Sequence, residues 1–196
     1  MKNSKKFILI ISSMIPSIFK NIYLMIKYKC IIHPCANIFF LNNLKIGKGA
    51  YLGRCDILAQ GPISIGKNCI INDYVILNSK TGYINIGDGS SVNSFSVIYG
   101  NGGVEIGKNN AIAQAVKIVK NHKIPKYKHE GYVKLSEKKT IIGDNVWLCA
   151  NVVVVDGVKI GSFSVIGANS LVSRDVPESV IAAGNPAKVL RKIKYK

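Results

Sequence analysis

Acidic residues are scarce in this chain. Across 196 residues there are 10 Asp and Glu against 27 Lys and Arg, a formal net charge of +17. So unbalanced a protein implies an anionic partner: a nucleotide-bearing cofactor, a nucleic acid or an acidic membrane surface. The sequence has no recognition helix and no basic motif interleaved with aromatics, which argues against nucleic acid. The cysteines (Cys30, Cys35, Cys55, Cys69, Cys149) are odd in number and form no CxxC pair. That pattern excludes a disulfide framework and fits reduced, mostly buried thiols in a cytoplasmic protein. Cys30-x-x-His33-x-Cys35 lacks the usual zinc spacing and a fourth ligand, so no metal is expected. Histidine is confined to His33, His122 and His129. A zinc hydratase would need three histidines to converge, and His33 reads as lying outside the repeating part of the chain.

Long apolar runs are missing too. Phe7 to Phe19, preceded by Lys2, Lys5 and Lys6, is too short for a membrane span and has no small-x-small cleavage site behind it. Residues 1–45 therefore read as a helical cap on the open end of a solenoid or as an interfacial segment. In the first case Phe7, Leu9, Ile10 and Ile15 are buried on the first coil. In the second the protein sits peripherally on the anionic inner face of a membrane.

What the sequence does have is a period of six. Ile46-Gly47, Ile65-Gly66, Ile86-Gly87, Ile106-Gly107, Ile142-Gly143 and Ile160-Gly161 are anchors of one frame. The C-terminal block runs Ile142, Leu148, Val154, Ile160, Ile166, Val172, with Val146, Val152, Val158, Ser164 and Ser170 four places after the aliphatics. Upstream the frame reads Ile106-Ile112-Ile118, Ile86-Val92-Ile98, Ile65-Ile71-Leu77 and Ile46-Leu52-Leu58. Neither a helix nor an alternating strand has this period. A short strand followed by a corner does, and three such units close one triangular coil. Stacked coils bury aliphatic on aliphatic, giving an all-β solenoid, a parallel β-helix spanning residues 46–176. Residues 177–196 read as a C-terminal cap and basic tail.

The frame breaks once. Ile106 and Ile142 are 36 residues apart, and residues 123–139 carry Pro125, six lysines and no hexad pattern. This is a loop leaving one corner, and long loops in compact repeats are usually functional. His122 stands at its base, in a slot that elsewhere holds Val or Ser. Imidazole suits proton transfer near neutral pH, and loop histidines also serve to cap carbonyls.

Ile142-Gly-Asp-Asn-Val-Trp147 and Val180-Ile-Ala-Ala-Gly-Asn-Pro-Ala-Lys188 are similar to segments of the hexapeptide-repeat acyltransferases. The branch resembled is that of the maltose, galactoside and nodulation O-acetyltransferases. The resemblance covers about Ile46 to Arg191. It implies a left-handed coil, which periodicity alone does not give. It implies acetyl-CoA as donor and His122 as catalytic base. By the same resemblance Asn93 holds the acceptor hydroxyl and Trp147 walls the acceptor groove. Asn101 stands where sugar acetyltransferases carry an acidic acceptor ligand, a departure that bears on which acceptor is used. Cys149 replaces a usual glycine. The implied cofactor contacts are Ala150 and Ala168 along the pantetheine, with Ser173, Arg174, Lys188 and Arg191 at the adenosine phosphates. A polyanion suits that basic cluster.

The expectation is an O-acetyltransferase acting on a sugar hydroxyl in assembly of a surface polysaccharide (capsule, O-antigen or exopolysaccharide). The short prism with flat faces points to a homotrimer with sites between subunits. N-acetylation of a nucleotide-linked amino sugar, or of an antibiotic, on the same scaffold is the alternative.

Overall fold

A computed structural model describes residues 16–119, 124–125, 132–133 and 138–194, with backbone alone at 124–125 and 132–133. Strands of two or three residues, each ended by a corner, wind into a three-sided prism. Its faces are sheets of nine, seven and six strands, parallel except for the last strand of the nine, termed A, B and C in the order in which the chain visits them. The C-terminal hairpin supplies the last strands of face A. Ile32, Leu52, Ile71, Val92, Ile112, Leu148 and Ile166 stack inward on face A, and all are buried. Burying such side chains contributes about 1.5–3 kcal/mol each, which is why the coils hold together with so little secondary structure per turn.

Most corners carry one residue with positive φ. Between faces A and B this residue is Tyr74, Phe95, Ala115, Asn151 or Asn169, with φ between 57° and 64°. Asparagine tolerates this conformation well, whereas Tyr, Phe and Ala occupy it at a cost.

The coil starts earlier than the repeat frame indicates. Ile31–Ile32 pairs in parallel with Tyr51–Leu52, so the first coil begins at Ile31 rather than at Ile46. His33 lies within this coil, its N–H donating to Leu52 O at 2.8 Å, and is not outside the repeats. The first coil escapes the pattern because Ile26-Lys27 stands where later coils have Ile-Gly. Lys29 takes the left-handed conformation (φ 52°) that Gly49 provides one coil on. The frame also slips once. Ile57, not Leu58, is the buried member after Leu52, because the Gly53–Cys55 corner is one residue short. Coils repeat at 19 to 21 residues as far as Ala111 and at 18 after Trp147. The extra residues sit at the corner between faces B and C, as at Tyr99–Gly103.

Helix α1 (Ser17–Tyr28) closes the N-terminal end. Leu24 is 1% exposed against the core. The Asn21 amide donates to the carbonyls of His33, Pro34 and Ala36, each at 3.1 Å, satisfying a corner that has no coil above it. Residues 17–28 thus cover the end of the prism; Phe7, Leu9, Ile10 and Ile15, which the sequence put on the first coil, lie outside the described residues. No described helix is long and apolar enough to cross a membrane. At the other end, Val180–Gly184 extends face A and turns back as Ala187–Lys192.

Candidate active site

The loop leaves the BC corner. Val119 N–H still bonds Val154 O at 3.0 Å, and the chain rejoins face C at Thr140, whose N–H reaches Gly103 O at 3.0 Å. Between them Ile124–Pro125 pairs antiparallel with Tyr132–Val133, so the excursion contains a hairpin. Lys139 Nζ, at the returning stem, pairs with Glu105 Oε1 at 2.6 Å, and Tyr83 Oη donates to the same oxygen at 2.9 Å. The lysine partner holds the Glu105 carboxyl below its ordinary value. This network fixes where the loop returns. His122 and His129 lie outside the described residues.

Asn93 follows face A at the AB corner. Its Oδ1 accepts from Asn72 Nδ2 at 2.7 Å, and its Nδ2 donates to Ile112 O at 2.9 Å. One N–H and one lone pair of the amide stay available for a ligand. Asn93 is therefore a rung of an asparagine ladder with a fixed orientation. It does not share a corner with the loop stem, because the width of face B, Val97–Tyr99 and Lys117–Ile118, separates them. Asn101 is 5% exposed, and its amide donates to Thr81 Oγ1 at 3.3 Å. In this conformation it ties the expanded BC corner together.

Trp147 is 53% exposed on the outside of face A. Its row, in register, is Ile31, Tyr51, Ile70, Ser91, Ala111, Trp147, Val165 and Ile181, a largely apolar strip along the prism. Cys149 and Ala150 follow at the AB corner. Ala150 sits directly against the next coil, its O accepting from Asn169 N–H at 3.0 Å, so Ala150 and Ala168 are stacked neighbours. The Ala150 N–H has no acceptor among the described residues. Burial pushes the Cys149 thiol up, which makes it a filler rather than an activated nucleophile. One coil further, Gly167 N–H donates to Ala182 O, and a Cβ on Gly167 would lie 2.8 Å from that of Ala183. Lys188 pairs with Ala183 on the hairpin. Ala150, Ala168 and Lys188 thus follow one corner towards the C-terminal end. Arg191 lies further along the hairpin against Ile181, and Ser173 and Arg174 are exposed at the far edge of face B. The structure therefore gathers part of the expected cofactor set on one line and leaves Ser173 and Arg174 at a neighbouring corner.

Sequence reasoning missed the stacked pair Tyr74–Phe95, with ring centroids 5.1 Å apart, beside Asn93 at the AB corner. Both are exposed, and the Arg54 guanidinium lies 5.2 Å from the Tyr74 centroid. Aromatics at two successive positive-φ positions were the available signal.

Among the described residues, surface grooves occur on and around face C, for example along Asn85, Glu105, Ile141, Asp144 and Ser162. The line from Asn93 to Lys188 is an open corner with one wall. Among the described residues, no three of His, Cys, Asp and Glu gather as a metal site.

A prism of six-residue units with one loop ejected from a corner defines the class, the left-handed hexapeptide-repeat β-helix. The family described as bacterial transferase hexapeptide (six repeats) matches residues 139–174. The chain is 30% identical over 181 residues to a putative lipopolysaccharide biosynthesis O-acetyl transferase, WbbJ, of Escherichia coli K12, covering 87% of this chain and 80% of that one. It is 36% identical over 142 residues to the galactoside O-acetyltransferase of Lactococcus lactis, covering 71% and 68%. A hexapeptide-repeat-containing acetyltransferase of Vibrio cholerae superposes with a TM-score of 0.51 at 28% identity, over 73% of each chain. Its complex with acetyl coenzyme A gives 0.50 at 32% identity, over 57% of this chain and 61% of that one. The chain belongs to the hexapeptide-repeat acyltransferases. It is an acetyltransferase.

Proposed function

We propose that the protein transfers the acetyl group of acetyl-CoA to a hydroxyl of a sugar acceptor during assembly of a surface polysaccharide, and that it does so as a homotrimer. The observation that carries this is the corner line from Asn93 through Ala150 and Ala168 to Lys188. Small residues there admit a pantetheine chain against the backbone, and a cation stands at one end. The similarity to sugar O-acetyltransferases over most of the chain supports the acceptor class.

Within one chain the width of face B separates Asn93 from the loop stem. The loop base of a neighbouring subunit therefore brings His122 to the Asn93 corner, where it acts as general base and takes the acceptor O–H proton while the oxygen attacks the thioester carbonyl. Asn93 orients the hydroxyl with its spare hydrogen-bonding capacity. The unbonded N–H of Ala150 suits the tetrahedral oxyanion. Collapse breaks the C–S bond, and the His122 imidazolium returns the proton to the departing thiolate. Cys149 carries no base partner among the described residues, so transfer is direct, without an acyl-enzyme.

Arg174 and Ser173 contact the adenosine phosphates from the edge of face B. Lys188 and Arg191 do so from the hairpin. A second subunit supplies the missing wall: the apolar strip of face A, with Trp147, is suited to burial against a neighbour. The Phe95 ring beside Asn93 offers the acceptor a flat apolar face.

The test is an acceptor screen with acetyl-CoA that compares sugar hydroxyls with amino-sugar amines, read as release of free thiol. Transfer to hydroxyls with the amine inert supports the proposal. Transfer to a nucleotide-linked amino sugar, or to an antibiotic, in preference to any hydroxyl replaces it with the N-acetyltransferase reading.

A further inference from the structure

Helix α1 carries its polarity inside out. Lys20 and Asn21 are buried with Leu24 against the first coil, and Lys20 Nζ lies 5.3 Å from the Phe39 ring centroid. Outward point Ile18, Phe19, Ile22, Tyr23 and Ile26, exposed by 46, 64, 48, 53 and 75%. At 3.6 residues per turn these five share one arc of about 140°. The cap uses only the opposite arc, so capping does not account for an apolar outer surface. A helix face turned to water ordinarily carries charge. Ile31, 60% exposed on the first strand, continues the apolar surface on the prism itself.

The segment that builds this end carries charge of one sign. From Met1 to Cys55 the sequence contains no Asp or Glu, while it carries Lys2, Lys5, Lys6, Lys20, Lys27, Lys29, Lys45, Lys48 and Arg54. Lys29, Lys48 and Lys67 follow one another coil by coil at the corner between faces C and A, and all three are exposed. Lys27 and Lys29 stand at the helix end of that column.

We infer that the N-terminal end of the prism docks on an anionic phospholipid surface. The outer arc of α1 enters the boundary between headgroups and acyl chains, and Lys27, Lys29 and Lys48 meet the lipid phosphates. Apolar residues on one side of a helix with lysines beside them are what an interfacial segment requires. A second copy of the chain fits less well, because pairing two such ends would bring Lys27, Lys29 and Lys48 of each against those of the other. The contact is interfacial, since α1, with 12 residues, is too short to span a bilayer.

The experiment is flotation of the full-length protein with phosphatidylcholine vesicles, with and without phosphatidylglycerol, at low and high salt. Wild type should bind the phosphatidylglycerol vesicles, less so as salt rises, and leave the neutral ones unbound. Combined Phe19→Ser, Ile22→Ser and Ile26→Ser should weaken partitioning by about tenfold or more, and so should combined Lys27→Gln, Lys29→Gln and Lys48→Gln. All these side chains are exposed, and transfer to a soluble acceptor with unchanged circular dichroism shows that the variants fold. Unaltered flotation of the serine variant would overturn the proposal and assign binding to residues 1–15. Wild type that ignores the vesicles, or that self-associates through α1 and dissociates in the serine variant, would overturn it as well. If wild type floats but acetylates no sugar, the reading under Proposed function fails and this one stands.

Discussion

Replacing Asn110 by alanine should destabilise the fold where it bridges the loop insertion. Asn110 is 2% exposed. Its Oδ1 accepts the Val146 N–H at 2.6 Å and its Nδ2 donates to Gly143 O at 2.9 Å. These bonds run from the coil before the loop to the coil after it, between residues 36 and 33 positions apart. Its own N–H goes to Ser90 Oγ at 3.0 Å and is unaffected. Alanine removes both side-chain bonds and leaves a buried N–H and a partly buried carbonyl without protein partners. An orphaned buried group costs about 1–3 kcal/mol, the carbonyl less because water can reach it, so the total is about 2–4 kcal/mol. At about 2–4 °C per kcal/mol for a chain of this size, Tm should fall by about 5–15 °C. Thermal unfolding followed by circular dichroism at one fixed protein concentration reads this directly. A Tm within about a degree of wild type would refute the claim that this amide joins the two halves.

Combined Arg174→Ala and Lys188→Ala should raise KM for acetyl-CoA by about tenfold or more with kcat nearly unchanged, checked by steady-state kinetics; an unchanged KM would remove these residues from the cofactor site. With a thiol reagent at neutral pH, exposed Cys35 should react first in the native protein and half-buried Cys149 more slowly. Cys55 should react only on unfolding, since burial pushes its thiol up to about 12 and keeps it protonated at any pH below that. Mass mapping of the labelled sites checks the order. At acid pH the Arg54–Asp73 pair should weaken. Hydrogen bonds from Arg54 hold the Asp73 carboxyl below its usual value, so its contribution is present above the unfolded carboxylate range and is lost as pH falls through the lower folded value. Asp73→Asn should therefore flatten the acid limb of a Tm-against-pH curve, and an unchanged limb would count against the pair.

The prism was legible because its aliphatics recur in one frame and stacking demands nothing else of them. Val146, Val152, Val158, Ser164 and Ser170 are buried as that frame requires. What hid the first coil was chemistry at a corner: Lys29 adopts a left-handed conformation without being glycine, so no Ile-Gly anchor marked Ile31. Leu58 was misplaced for a simpler reason, a corner one residue short, which shifts every side chain after it to the other side of the sheet. The site was legible as residue types and less so as positions. Asn93 and the loop stem lie on the same face but at opposite edges, a separation that depends on how many residues each corner absorbs. The fate of Asn101 depended on Thr81, twenty positions away and one coil distant. The inverted polarity of α1 could not be read in advance, since which arc faces the first coil is decided by Asn21 meeting the carbonyls of His33, Pro34 and Ala36.

The central claim, acetyl transfer from acetyl-CoA to a sugar hydroxyl with His122 as base, meets its most direct test in His122→Ala. Single-substrate kinetics on the best hydroxyl acceptor, with coenzyme A affinity measured by calorimetry, separate chemistry from binding. The account predicts a fall in kcat of about a hundredfold or more, with coenzyme A bound as by wild type and with His129→Ala nearly normal. A His122→Ala enzyme that turns over at close to the wild-type rate would contradict it.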